Sequence, residues 1–203
     1  MRRGARALFL VAVTFVVTGC STAEFIDPEQ EWTSADIQER AEYMREQGND
    51  FVADRFADGE VSADEYREGV DMFVTCMTDR GYTTTDPVVS PVDGLSIIVE
   101  PDPSGKSSDV YGADLEECRM YMGALEAMFP ITHTQVMDEP LLVAVTACLT
   151  GKGEIVPEGA RNYPEMQPAD FEFDSPWKRA FDQCLVDNVF TLYPDLPGVP
   201  VYG

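Results

Sequence analysis

Four cysteines in the body of the chain constrain its fold more than any other feature. They are Cys76, Cys118, Cys148 and Cys184. An even number of cysteines in an oxidising compartment predicts two disulfides, with three possible connectivities. Buried free thiols and a metal site are the alternatives. A zinc site, however, usually places two ligands within a few residues of each other, and these cysteines are not spaced in that way.

A short internal repeat favours one of the three connectivities. The sequences FVTCMTDRG and VTACLTGKG both place an apolar residue and Thr after the cysteine, and a glycine five positions after it. Each is followed by an extended, proline-containing stretch and then by a helix that carries the next cysteine. The repeat therefore predicts that Cys76 pairs with Cys118 and that Cys148 pairs with Cys184.

Helical periodicity predicts two helices in the first part of the chain, at 34–57 and 62–81. The turn at Asp58-Gly59 separates them. Each helix begins at a capping box, in which a Ser or Thr is followed three residues later by an acidic residue. The two boxes are Thr33 with Asp36 and Ser62 with Glu65.

The rest of the chain predicts a small β-element and three more helices. β-forming residues between 82 and 100, interrupted by Asp93-Gly94, predict a hairpin that Pro87 and Pro91 weaken. Further helices are predicted at 109–130, where Pro130 should stop the helix, at 138–149 and from 176 onward, with 154–173 mostly irregular.

These patterns predict an α+β fold that is predominantly helical. It should contain two helix–extended–helix units, each closed by a disulfide, together with a small β-hairpin. We place the units near 62–130 and 134–193, within a single helical domain at 34–203. The helix at 34–57 is expected to pack across both units.

The first 20 residues read MRRGARALFLVAVTFVVTGC and predict an export signal. Three arginines precede an apolar run that is too short to span a bilayer. The run ends in Val17-Thr18-Gly19-Cys20, which resembles the lipobox of bacterial lipoprotein precursors. A cleavable signal with a chance cysteine, or an uncleaved anchor, is the alternative.

The lipobox resemblance implies that residues 1–19 are a signal peptide and that the thiol of Cys20 carries a diacylglyceryl group with fatty-acyl chains such as palmitate. Residues 20–33 would be a lipidated tether, and the chain would be held on the extracytoplasmic face of the cell membrane. Together with the Cys-x-x-x-x-Gly helix end at Cys76 to Gly81, the lipobox resembles uncharacterised lipoproteins of high-GC Gram-positive bacteria. That resemblance implies no particular activity.

The charge of the chain excludes one class of partner. There are 37 acidic residues against 14 Lys and Arg, a net charge of −23 at pH 7. Such a surface repels polyphosphates, so we do not expect nucleic acid to bind. It favours cations or basic partners, although an acidic, well-solvated surface with no role in recognition explains the same composition.

One segment resembles the EF-hand calcium loop. In DRFADGEVSADE, residues Asp54, Asp58 and Glu65 occupy the first, fifth and twelfth positions, with a predicted helix on each side. Phe56, however, stands at the third position, where a ligand oxygen is needed. Turn and capping chemistry account for the same residues without a metal ion.

Catalytic motifs are missing from the sequence. It has no G-x-S-x-G, Ser-x-x-Lys or H-E-x-x-H pattern, and the only histidine, His133, is expected at the surface. We therefore predict no catalytic residues and no cofactor. The leading hypothesis is a non-catalytic envelope lipoprotein that binds an unknown envelope protein or ligand. The alternatives are a calcium-binding module at 54–65 and an envelope hydrolase without a recognisable motif.

Overall fold

A computed structural model describes residues 33–199. Eight helices and one two-stranded antiparallel hairpin make up this described part of the chain, which confirms the predicted α+β, mostly helical class. In chain order the elements are α1 Ser34–Glu46, α2 Asp50–Arg55, α3 Ala63–Asp79, β1 Val88–Val89, β2 Ile97–Ile98, α4 Ser108–Arg119, α5 Gly123–Thr132, α6 Glu139–Gly151, α7 Tyr163–Met166 and α8 Pro176–Leu192.

Both predicted capping boxes are confirmed. The Thr33 hydroxyl accepts the Asp36 N–H at 3.3 Å, and the Asp36 carboxylate accepts the Thr33 N–H at 2.7 Å. Ser62 and Glu65 make the same reciprocal pair at 3.2 and 2.8 Å. Each box satisfies N–H groups that a helix start would otherwise leave without a partner, so α1 and α3 begin where the sequence places them.

The single helix predicted at 34–57 is two helices, α1 and α2. Gly48 has a φ of +77°, a left-handed conformation that ends α1. The Asn49 side chain then accepts the Val52 N–H at 3.2 Å and starts α2. The same side chain donates to the Met120 carbonyl at 2.7 Å, which ties the start of α2 to the junction between α4 and α5.

The helix predicted at 109–130 is also two helices, and the prediction that Pro130 stops it is wrong. The helix is interrupted at 120–122, between α4 and α5, and Pro130 lies inside α5. The helix ends two residues later, where the Thr132 hydroxyl donates to the Phe129 carbonyl at 3.3 Å. Similarly, the region predicted as irregular contains α7, because the Asn162 side chain caps it.

The hairpin is confirmed but is limited to two residue pairs, Val88 with Ile98 and Val89 with Ile97. Pro87 and Pro91 flank β1 and have no N–H to extend the ladder. In the turn, the buried Asp93 carboxylate accepts the backbone N–H groups of residues 95 and 96, both at 2.9 Å.

The described residues form two hydrophobic clusters, each containing one disulfide. The first includes Ile37, Val52, Phe56, Tyr66, Phe73, Leu125 and Phe129; the second includes Met137, Leu141, Leu149, Tyr163, Trp177, Phe181 and Val189. Residues of α1 and α2 contribute to the first cluster only. The helix predicted at 34–57 therefore does not pack across both units.

Both predicted disulfides are confirmed. Cys76 in α3 is bonded to Cys118 in α4, with 5.6 Å between their Cα atoms. Cys148 in α6 is bonded to Cys184 in α8, with 5.7 Å between theirs. The internal repeat therefore identified the correct one of three connectivities.

A hydroxyl group in the first cluster makes a testable contribution to stability. Tyr66 is buried, and its hydroxyl accepts the Ile97 N–H at 3.0 Å; burial raises the pKa of Tyr66 to about 12, so the group stays protonated. We expect Tyr66→Phe to lower the free energy of unfolding by about 1–3 kcal/mol, because the Ile97 N–H loses its partner. Urea denaturation measures this. The control, Tyr43→Phe at a 44% exposed site on α1, should change it little, and an equal loss in both variants would contradict the prediction.

Candidate ligand-binding cleft

An open cleft of about 760 Å³ lies where three segments meet. Its walls come from the hairpin at 88–94, from residues 136–139 leading into α6, and from residues 192–196 at and just beyond the end of α8. This volume is in the range of pockets that hold small ligands or short peptide segments.

Backbone hydrogen bonds hold the first two walls together. The Val136 N–H donates to the Asp93 carbonyl and the Asp138 N–H donates to the Pro91 carbonyl, both at 2.8 Å. Residues 136–138 therefore run antiparallel to 91–93. This pairing ends at Asp138, because α6 begins at the next residue and turns the chain away.

Exposed apolar side chains form the walls of the cleft. Val89 is 49% exposed, Val136 47% and Leu192 41%, while Met137 and Leu196 beneath them are buried. Single exposed apolar residues are common on protein surfaces, but several around one concave site mark a place where a ligand or partner binds.

The charged side chains that the described residues contribute to the cleft are all acidic. Asp138, Glu139 and Asp195 are exposed at its rim, and the Tyr193 hydroxyl donates a hydrogen bond to Asp138. Burial, and then this bond to a carboxylate, raise the pKa of Tyr193 to about 12, so the phenol remains a neutral donor at physiological pH. No Lys, Arg or His of the described part of the chain lines the cleft. The site is therefore suited to a ligand that is partly apolar and carries positive charge.

The structure does not bring the three calcium candidates together. Asp54 lies 3.7 Å from Arg45, the Asp58 carboxylate accepts the Glu60 N–H at 3.1 Å, and Glu65 belongs to the capping box of α3. Among residues 33–199, no group of three His, Cys, Asp or Glu side chains could hold a metal ion. The three residues that resemble EF-hand ligands thus take part in an ion pair, a turn and a capping box.

His133 is exposed at the end of α5, as expected. Its Nδ1 lies 3.0 Å from the Phe129 carbonyl oxygen and 3.0 Å from the Thr132 hydroxyl. Its ring packs against that of Phe129, with 4.0 Å between the ring centroids. These contacts give it a structural role at the helix end.

The predicted signal peptide at 1–19, the predicted lipidation site Cys20 and the predicted tether up to residue 32 lie outside the described residues. Within residues 33–199, none of the helices combines the length and the hydrophobicity that spanning a bilayer requires.

The patterns in the sequence do not predict the cleft. Its residues come from three segments that are far apart in the chain, and none of them carries a recognisable motif. The one available indication was the apolar pair Val88-Val89 between two prolines, which is an unusual place for a buried strand. Comparison with protein families, curated proteins and solved structures finds no match to this chain.

Proposed function

We propose that this chain is a non-catalytic, lipid-anchored binding protein of the cell envelope, and that its ligand occupies the cleft. The observation that carries this proposal is the group of exposed apolar side chains beside three carboxylates, with no Lys, Arg or His among the described residues that line the cleft. The ligand chemistry that fits is an apolar body with a positively charged group, because both parts find complementary surface there.

Two further features support the proposal. The two disulfides agree with an oxidising compartment outside the cytoplasm. The sequence around Cys20 resembles a lipobox, which would place the cleft close to a membrane surface. No observation on the described residues favours the calcium-binding or the hydrolase alternative.

Photoaffinity labelling of the full chain tests the cleft. The probe is a diazirine-bearing alkylamine, and the matched control is the corresponding alkyl carboxylate. We expect the amine to label residues of 88–94, 136–139 and 192–196, as mapped by mass spectrometry, and to label them more than the carboxylate does. Val136→Arg should reduce amine labelling about tenfold, because it adds a cation at the apolar wall. Amine labelling at residues outside the cleft, or equal amine labelling of the wild type and Val136→Arg, would contradict the proposal.

Mass spectrometry of the chain recovered from its own membrane tests the anchor. We expect a product that begins at Cys20 and carries a thioether-linked diacylglyceryl group, with no residue of 1–19 retained. Cys20→Ser should abolish incorporation of a radiolabelled fatty acid, because the thiol is the acceptor. Val17→Ile, which keeps an aliphatic residue in the lipobox, is the control and should be labelled normally. An unmodified polypeptide that still carries its leader would show that the anchor is wrong.

A further inference from the structure

We infer that the occupant of the cleft is an extended, basic peptide segment that adds to the outer edge of β1 as a third strand. This inference rests on the proposed function and specifies its ligand. It is carried by the hydrogen-bond pattern of the hairpin, by the point at which residues 136–138 leave that edge, and by the charge of the cleft.

The hydrogen-bond pattern shows which backbone groups of β1 face outward. Ser90, next to β1, donates its N–H to the Ser96 carbonyl at 2.7 Å, so the Ser90 N–H faces the strand opposite. Pairs alternate along an antiparallel ladder, so Val89 and Ile97 form a pair without mutual hydrogen bonds. In agreement, the Ile97 N–H points away from β1 and donates to Tyr66. The N–H and C=O of Val89 therefore face the outer edge.

The chain itself pairs with the neighbouring part of this edge. In the turn that directly follows β1, the Pro91 and Asp93 carbonyls accept hydrogen bonds from the N–H groups of Asp138 and Val136. After Asp138 the chain no longer pairs with the hairpin, because α6 begins at Glu139. Among residues 33–199, no segment pairs with Val89 at this edge, and the cleft lies where a continuing strand would run. An added peptide would thus extend a pairing that the fold already uses.

The side chains around the edge specify a basic and apolar peptide. A strand presents successive side chains to opposite sides. Apolar residues of the peptide can then contact Val136 and Leu192, while basic residues contact Asp138 and Asp195. Residues 20–32 of this chain do not fit this requirement, because they contain four carboxylates and no Lys or Arg. Residues 1–19 do contain three arginines beside apolar residues, but the proposed cleavage before Cys20 removes them, so the peptide belongs to a separate, basic partner.

Competition against the amine photoprobe tests the inference on the full chain. The competitor is a pool of acetylated, amidated pentapeptides that alternate Lys or Arg with Val, Ile or Phe. One control pool has the same sequences with N-methylated backbone amides, and another has Glu in place of the basic residues. We expect the basic pool to prevent labelling, the N-methylated pool to be at least tenfold weaker because it cannot donate to β1, and the acidic pool to be inactive.

A variant pair locates the contact. Val89→Pro removes an N–H that the hairpin ladder does not use, whereas Val89→Thr keeps it. With each variant's own amine labelling as the reference, peptide competition should be about tenfold weaker for Val89→Pro than for Val89→Thr. Melting temperature and intact disulfides show whether Val89→Pro is folded. If Val89→Pro is not folded, competition by the N-methylated pool on the unaltered chain still shows whether backbone hydrogen bonds to β1 are needed.

The outcomes separate this inference from the proposed function. If the amine labels the cleft but the basic pool does not compete, or competes as well after N-methylation, the cleft binds small cations and strand addition is wrong. If neither the amine nor the peptides reach the cleft, the proposed function fails as well. If the acidic pool competes as well as the basic pool, the peptide need not be basic, and the assignment of a basic partner is wrong while strand addition stands.

Discussion

Replacing both cysteines of either disulfide with alanine should lower the free energy of unfolding by about 4 kcal/mol. The two bonds close loops of 42 and 36 residues, and closing loops of this length restricts the unfolded chain by similar amounts. The relevant variants are Cys76→Ala with Cys118→Ala, and Cys148→Ala with Cys184→Ala. Guanidinium denaturation followed by circular dichroism measures the change.

Reduction of the unaltered chain provides the control for this prediction. Loss of both bonds removes about 8 kcal/mol, which is comparable to the whole stability of a typical domain. The reduced chain should therefore unfold without denaturant, and reoxidation should restore it. A reduced chain with an unchanged melting temperature would contradict the view that the disulfides hold the two hydrophobic clusters in their folded state.

Phe181→Ala should lower the free energy of unfolding by about 3–5 kcal/mol. Phe181 is buried on α8, where its ring stacks on Trp177 with 5.4 Å between the ring centroids and lies 4.8 Å from the ring of Tyr163. Removing the ring leaves a cavity within an aromatic cluster that the surrounding side chains cannot readily fill.

The matched control lies on the same helix. Phe190 is 44% exposed, so Phe190→Ala makes the same chemical change without a buried cavity, and it should alter the free energy of unfolding by less than about 1 kcal/mol. Thermal and chemical denaturation of both variants would give the comparison. Because Ala favours a helix more than Phe does, equal losses could not come from helix propensity and would mean that burial of Phe181 in the second cluster is not the source of the effect.

Local patterns predicted the helix starts because each pattern acts over a few residues. Thr33 with Asp36 and Ser62 with Glu65 lie three positions apart, so their hydrogen bonds depend little on the rest of the chain. The breaks inside the predicted helices were missed for the opposite reason. Asn49 caps α2 and also bonds to Met120, so tertiary contact supports a helix start that the periodicity alone does not show.

Local patterns were enough to predict the helical class, the two capping boxes and, through a short repeat, the two disulfide pairs. The packing of α1 and α2 in the first cluster and the cleft beside β1 became visible in the folded chain only. The difference lies in how far apart in the chain the interacting residues are. Caps and periodic apolar faces depend on neighbours in the chain. The cleft, in contrast, exists because residues 136–138 pair with the hairpin and then turn into α6, so that within residues 33–199 no segment pairs with the edge at Val89.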